Sequence, residues 1–237
     1  MNLLLLFPKN MLSDSQARIT GRQLQHIHST LNVTKGDTLC VGLLNHNIGR
    51  ARIEQINTEQ ATLSIDWQSE PPAPLPLKLI IALPRPKMLK RIVQTATTMG
   101  VKQLYFINSW KVEKSYWGSP WLSSEKMLEN CILGLEQARD TRMPEIHLKP
   151  LFKPFVEDEL PGIVKATQKL LAHPGSISPC PINVESETSL VIGPEGGFTP
   201  YEVNKLEGCG FRAVHLGERI LRVETAVPAL LARLFCA

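Results

Sequence analysis

Four prolines fall within six residues, at Pro71, Pro72, Pro74 and Pro76. No helix and no central strand runs through such a stretch, because each proline fixes φ and has no N–H to donate. The backbone there is stiff and extended. A domain boundary is expected over residues 71–76, with each flank folding around its own core. The 237 residues, 43% of them hydrophobic, suffice for one large domain or two smaller ones. The first apolar run, Leu3 to Phe7, is far below the roughly 20 residues that a membrane span needs. It lacks a basic leader and stops at Pro8, so it reads as a buried strand rather than a signal peptide. The protein is expected to be cytoplasmic.

Residues 1–70 read as a small β-rich module. Leu24, Ile27 and Leu31 have the spacing of a short helix. Strands are expected around 38–44 and 48–56, joined by the polar turn Asn45-His46-Asn47. In the following stretch Ala61, Leu63, Ile65 and Trp67 alternate as a half-buried strand does.

Beyond the prolines the pattern changes. Apolar segments at 77–83, 103–107, 145–148, 169–173, 189–193 and 211–216 read as strands, with helical patterns between most of them. Leu89, Ile92, Val93, Ala96 and Met99 recur at helical spacing, with Pro86 near the start and Gly100 just past the end. A second apolar stripe is Leu128, Cys131, Ile132 and Leu135. Alternation of this kind predicts an α/β domain with a mostly parallel sheet over residues 77–237.

The net charge of +4 is unevenly spread. Residues 1–70 carry six basic and six acidic residues. Residues 71–112 carry seven basic residues and no acidic one: Lys78, Arg85, Lys87, Lys90, Arg91, Lys102 and Lys111. A solvated helix face and a surface for a polyanion both fit this patch. The five cysteines contain no C-x-x-C pair, and their odd number argues against a disulfide framework; reduced, mostly buried thiols are expected. His26 and His28 sit two apart on a helix and face different ways, so no metal site is expected.

The most unusual stretch is "SLVIGPEGGFTPYEV", from Ser189. A strand ends in Gly193-Pro194-Glu195-Gly196-Gly197, and a helix follows. Thr199 suits its N-cap, Pro200 its first position, and Glu202 completes a capping box. Ligands of open α/β sheets bind beyond the carboxyl ends of the strands. Glycines there admit close approach to the backbone. The turn lacks the Gly-Lys-Ser/Thr of a P-loop and the G-x-G-x-x-G of a dinucleotide fingerprint. A plain connecting turn is the bland alternative. A second stretch, "HLGERILRVETAVPALLARLF", carries Arg219, Arg222 and Glu224 in a loop before a final helix. Thr225 reads as that helix's N-cap and Pro228 as part of its first turn. Surface ion pairing would also account for these charges, and such pairs contribute little.

Together, "IGPEGGFTPYEV" and "LGERILRVETA" resemble the C-terminal signature of the RsmE family. These are 16S ribosomal RNA uracil-N3 methyltransferases of the SPOUT class, dependent on S-adenosylmethionine. The likeness extends more weakly over nearly the whole chain, through "LAHP" and "EQ…MPEI". It implies a SPOUT-type parallel sheet with a C-terminal trefoil knot. It also implies that residues 1–70 form a PUA-like β-barrel that binds RNA. A homodimer acting on 16S ribosomal RNA in the 30S subunit is implied, with no membrane and no metal. The cofactor would be surrounded by Leu171, His173 and Pro174, by Ile192, Gly193, Pro194, Glu195, Gly196 and Gly197, and by residues 216–226. Within the last span, Leu216, Gly217, Ile220, Leu221, Arg222, Thr225 and Ala226 would touch it.

N3 methylation removes an N–H proton and places negative charge on the ring. Arg222 would stabilise that charge, and Glu224 or Glu195 would orient the base or take the proton. Arg85, Lys87, Lys90, Arg91, Arg139 and Arg142 would bind RNA. Two segments depart from the family pattern. Lys-x-x-Glu-Leu-Gly is here Thr95-Ala96-Thr97-Thr98-Met99-Gly100, and Glu-Gln-x-x-Arg is Glu136-Gln137-Ala138-Arg139-Asp140. Another ribosomal or transfer RNA target, including ribose 2′-oxygen chemistry, stays open. So does a non-catalytic role in RNA binding or ribosome assembly.

Overall fold

The computed structural model describes residues 2–29 and 33–235. Leu31 and Cys236 lie outside them. The chain forms two compact units. The first holds residues 1–73 and 132–143; the second holds 74–131 and 144–237.

The first unit is built on six strands: β1 (Leu4–Leu6), β2 (Met11–Ser13), β3 (Gln16–Ile19), β4 (Thr38–Leu43), β5 (Ile48–Ile56) and β6 (Ala61–Ser69). Their order is β1-β4-β5-β6-β3-β2, and only β1 with β4 is parallel. The β2–β3 hairpin was not expected from sequence: β2 is only three residues long, with no buried position. Helix α1 (Gly21–Ser29) buries Leu24 and Ile27. β1 explains the unbroken leucine run. Successive strand side chains point to opposite faces. Leu4 and Leu6 enter one core with Val41, Ala51, Ile53 and Leu63, whereas Leu3 and Leu5 enter a second with Leu135. Both faces of β1 are therefore buried. Residues 132–143 are fastened to this unit by polar contacts too. The Glu136 carbonyl accepts from the amides of Asn2 and Leu3, at 3.1 and 3.0 Å. Its buried carboxylate takes both Nη atoms of Arg22, at 3.2 and 3.0 Å.

The second unit is a parallel sheet: β7 (Leu77–Ala82), β8 (Gln103–Ile107), β9 (Glu145–Lys149), β10 (Gln168–Ala172), β11 (Thr188–Ile192) and β12 (Arg212–Val214). The order is β12-β10-β11-β7-β8-β9, and every pairing is parallel. Every residue of β11 is buried, as are most of β7 and β8, which is how a sheet covered on both faces reads. The helices of this unit are α2 (Pro86–Thr98), the first half of α3 (Ser124–Ala138), the short turns α4 (Phe152–Pro154) and α5 (Leu160–Ile163), α6 (Pro200–Gly208) and α7 (Val223–Phe235); the rest of α3, from Ile132, belongs to the first unit. α2 packs against α7.

The expected stripe on α3 holds at Cys131 and Leu135, but Leu128 is exposed. The start of α7 also differs from expectation. Thr225 is not its N-cap: the amides of Thr225 and Ala226 both donate to the Arg222 carbonyl, at 3.0 and 2.8 Å, so the helix begins at Val223. Pro228 then sits inside the helix, where its missing N–H deprives the Glu224 carbonyl of its usual donor. Among the described residues, no helix is long and apolar enough to cross a membrane.

Candidate functional site

Three neighbouring strands of the second sheet, β12, β10 and β11, end side by side. The loops beyond them enclose a cavity of about 310 Å³. That lies at the lower end of the ~300–1,000 Å³ range of small-molecule sites. Ala172, His173 and Pro174 come from the end of β10. Residues 192–198 come from β11 and its glycine turn. Val214 ends β12, residues 215–217 and 219–221 follow it, and Val223, Ala226 and Leu230 close the wall from α7. The lining is largely apolar side chain and exposed main chain, with few ionisable groups.

The chain builds these walls by local rules and by a few long-range bonds. At the N-terminus of α6, Thr199 Oγ1 accepts from the Glu202 amide at 3.3 Å, and Glu202 Oε2 accepts from the Thr199 amide at 2.8 Å, a reciprocal capping box. Glu202 is buried, and its other oxygen accepts from the Trp110 amide at 2.7 Å. Lys111 Nζ donates to the Gly196 carbonyl at 2.7 Å. Glu195 Oε1 accepts from the Arg85 amide at 3.2 Å and lies 3.9 Å from Arg85 Nε. The glycine turn is thus pinned to the segments that follow β7 and β8. Opposite it, Gly217 adopts φ 126° and donates to His215 Nδ1 at 3.0 Å.

The C-terminal segment is held to residues 178–184 along its length. Pro179 bridges His215 in parallel, and the amides of His215 and Cys180 exchange bonds with Ser178 and His215 carbonyls at 2.9 and 2.8 Å. Arg233 Nε donates to the Cys180 carbonyl at 2.7 Å, and the Val184 amide to the Leu234 carbonyl at 2.7 Å.

Residues 71–235 match the sequence pattern of the RNA methyltransferase domain family. The chain is 30% identical to the ribosomal RNA small subunit methyltransferase E of Treponema pallidum, over 87% of this chain and 80% of that protein. The chain belongs to this methyltransferase family. It is also 27% identical to the protein of the same name from Mesomycoplasma hyopneumoniae, covering 91% of this chain and 92% of that one. Its fold matches that of ribosomal RNA small subunit methyltransferase E from Neisseria gonorrhoeae, crystallised with S-adenosylmethionine. The TM-score is 0.76, over 98% of this chain and 95% of that one, at 21% identity.

In this methyltransferase the structure brings most of the expected cofactor residues to one cavity: His173, Pro174, Ile192 to Gly197, Leu216, Gly217, Ile220, Leu221 and Ala226. Four expected residues are placed elsewhere. Leu171 is fully buried within β10, and Arg222, Glu224 and Thr225 are not among the lining residues. Arg222 is exposed just ahead of α7, and Glu224 lies half-buried in the helix's first turn. Phe198, Val214, His215 and Leu230 line the cavity without having been singled out. The signal for Phe198 was its position directly after the glycines. Arg85, Lys87, Lys90 and Arg91 are all exposed, at the end of β7 and along α2. Arg139 and Arg142 belong to the first unit. There Arg139 is exposed, with φ 55°, and Arg142 lies 3.7 Å from Glu70.

Proposed function

We propose that this methyltransferase transfers a methyl group from S-adenosylmethionine to N3 of a uracil in 16S ribosomal RNA. The observation that carries the reading is the cavity at the ends of β10, β11 and β12, in a chain of this family. Its residues suit the cofactor: Ile192, Leu216, Ile220 and Leu230 offer apolar surface for a purine, and the glycine turn offers main-chain polar groups. When bound, S-adenosylmethionine supplies an electrophilic methyl carbon. The chain's own part is to bind, to exclude water and to manage the proton of N3. Arg222 stabilises the negative charge on the uracil oxygens, and Glu224 takes the proton. Glu195 is tied to Arg85 and so positions the turn instead.

The backbone bonds between the segment after β12 and residues 178–184 support a C-terminal trefoil knot, in which that segment threads the loop after β10. The first unit acts as a PUA-like RNA-binding module. Lys87, Lys90 and Arg91 bind phosphates, with an affinity that falls steeply with salt. Ile220, 80% exposed at the cavity, suits a subunit contact in a homodimer. The protein works in the cytoplasm, where its ribosomal substrate is.

The deciding experiment is nucleoside mass spectrometry of 16S ribosomal RNA from cells with and without the gene. N3-methyluridine should disappear with the gene, and its persistence would refute the assignment. Near-wild-type turnover by Arg222→Ala would remove Arg222 from its role. Charge reversal at Lys87, Lys90 and Arg91 with unchanged RNA affinity would free the patch from phosphate binding.

A further inference from the structure

Trp110 is 85% exposed, in the segment that follows β8. A lone exposed apolar side chain needs no explanation, but two features set this one apart. Its backbone is fixed: the Trp110 amide is bound by the buried Glu202, and the adjacent Lys111 is bound to the Gly196 carbonyl. The indole is therefore presented from a rigid base, next to the turn that lines the cavity. Its surroundings are also cationic. Lys111 is its neighbour in sequence. Arg85 binds the same glycine turn through Glu195, and exposed Lys87, Lys90 and Arg91 follow at the same carboxyl end of the sheet. The acidic groups nearby are the buried Glu202, which the Trp110 and Thr199 amides engage, Glu195, which Arg85 engages, and Glu113, which accepts from Tyr116 Oη at 3.0 Å.

We infer that Trp110 is a stacking platform for an unpaired RNA base beside the methyl-transfer cavity. The inference rests on the function proposed above and names a positioning surface for its substrate. A uracil whose N3 is to be methylated must leave its base pair. The strand around it is then single-stranded locally, and its bases lose stacking partners. A rigid exposed aromatic among lysines and arginines replaces that stacking and holds the flanking phosphates, as in single-strand binding surfaces.

The test compares wild type with Trp110→Ala and Trp110→Tyr. The side chain is mostly in solvent, so neither change opens a core cavity. A uridine-rich single-stranded RNA oligonucleotide should quench tryptophan fluorescence in the wild type, and this quench should vanish in Trp110→Ala. KM for small ribosomal subunits should rise about tenfold in Trp110→Ala and stay near wild type in Trp110→Tyr, with S-adenosylmethionine affinity unchanged in both. Equal quench and equal KM in wild type and Trp110→Ala would overturn the inference and leave the proposed function standing. Conversion of a wild-type dimer to monomer by Trp110→Ala would also overturn it, by making Trp110 a subunit contact. A wild type that quenches but methylates no ribosomal RNA would support the platform and sink the proposed reaction.

Discussion

Gly217 holds φ 126°, a conformation closed to side-chain-bearing residues, yet a Cβ placed there meets nothing within 4 Å. The cost of Gly217→Ala is thus backbone strain alone, about 1–3 kcal/mol. It falls on the loop that lines the cavity, so calorimetric titration should show weaker S-adenosylmethionine binding; an unchanged affinity would mean the loop relaxes freely. Cys131 offers a second residue-scale prediction. Burial pushes its thiol up from 9.0 to about 11, against smaller opposing effects of Thr97 and Lys102. The folded form holds the proton more tightly than the unfolded form. Cys131 therefore favours folding fully below pH 9, and that contribution is lost as pH climbs toward 11. The fall in stability over this window should be shallower in Cys131→Ala, as read from urea midpoints. At this scale the sequence showed which residue types could serve, but not their partners. Glu195 was legible as an odd carboxylate among glycines. Its engagement by Arg85, 110 positions away, was not, because it depends on β7 and β11 lying side by side.

The capping box of α6 was fully legible, since Thr199, Pro200 and Glu202 act within one turn. What lay hidden was the second duty of Glu202, whose free oxygen reaches the amide of Trp110, 92 residues away. The two roles separate by mutation. Thr199→Ala removes the hydroxyl, which accepts from the Glu202 amide and donates to Glu202 Oε2 at 2.9 Å, and should cost about 1 kcal/mol. Glu202→Ala keeps the bond from its own amide to Thr199 Oγ1 but strands the Trp110 and Thr199 amides, and should cost about 2–3 kcal/mol. Chemical denaturation of both variants measures the difference; equal losses would show that the link to Trp110 adds nothing. Most strands were readable because a parallel sheet buried on both faces writes itself as continuous apolar runs. The start of α7 was misread because Thr225 has the chemistry of a cap. Burial of Val223 instead draws the helix back to begin there.

At the scale of the molecule, the proline run marks one place where the chain changes unit, but nothing in the sequence marks the other two, inside α3 and after Met143. Cys131 and Ile132 share one apolar stripe, and yet residues 132–143 join the first unit. A fragment of residues 1–76 would lack Leu135, which packs with Leu3 and Leu5, and Glu136, which binds Arg22. Such a fragment should melt without a sharp transition by circular dichroism; a cooperative melt would show that those residues are dispensable. Strand order was equally illegible, because local periodicity carries no information on which strands become neighbours. That order, with Ala226 and Leu230 of α7 forming part of the cavity wall, has a consequence for biosynthesis. During translation all six strands of the sheet emerge before α7 does. A small ligand cannot reward the assembly of a pocket that still lacks a side, so the nascent sheet must hold together on its own strand pairing and apolar burial.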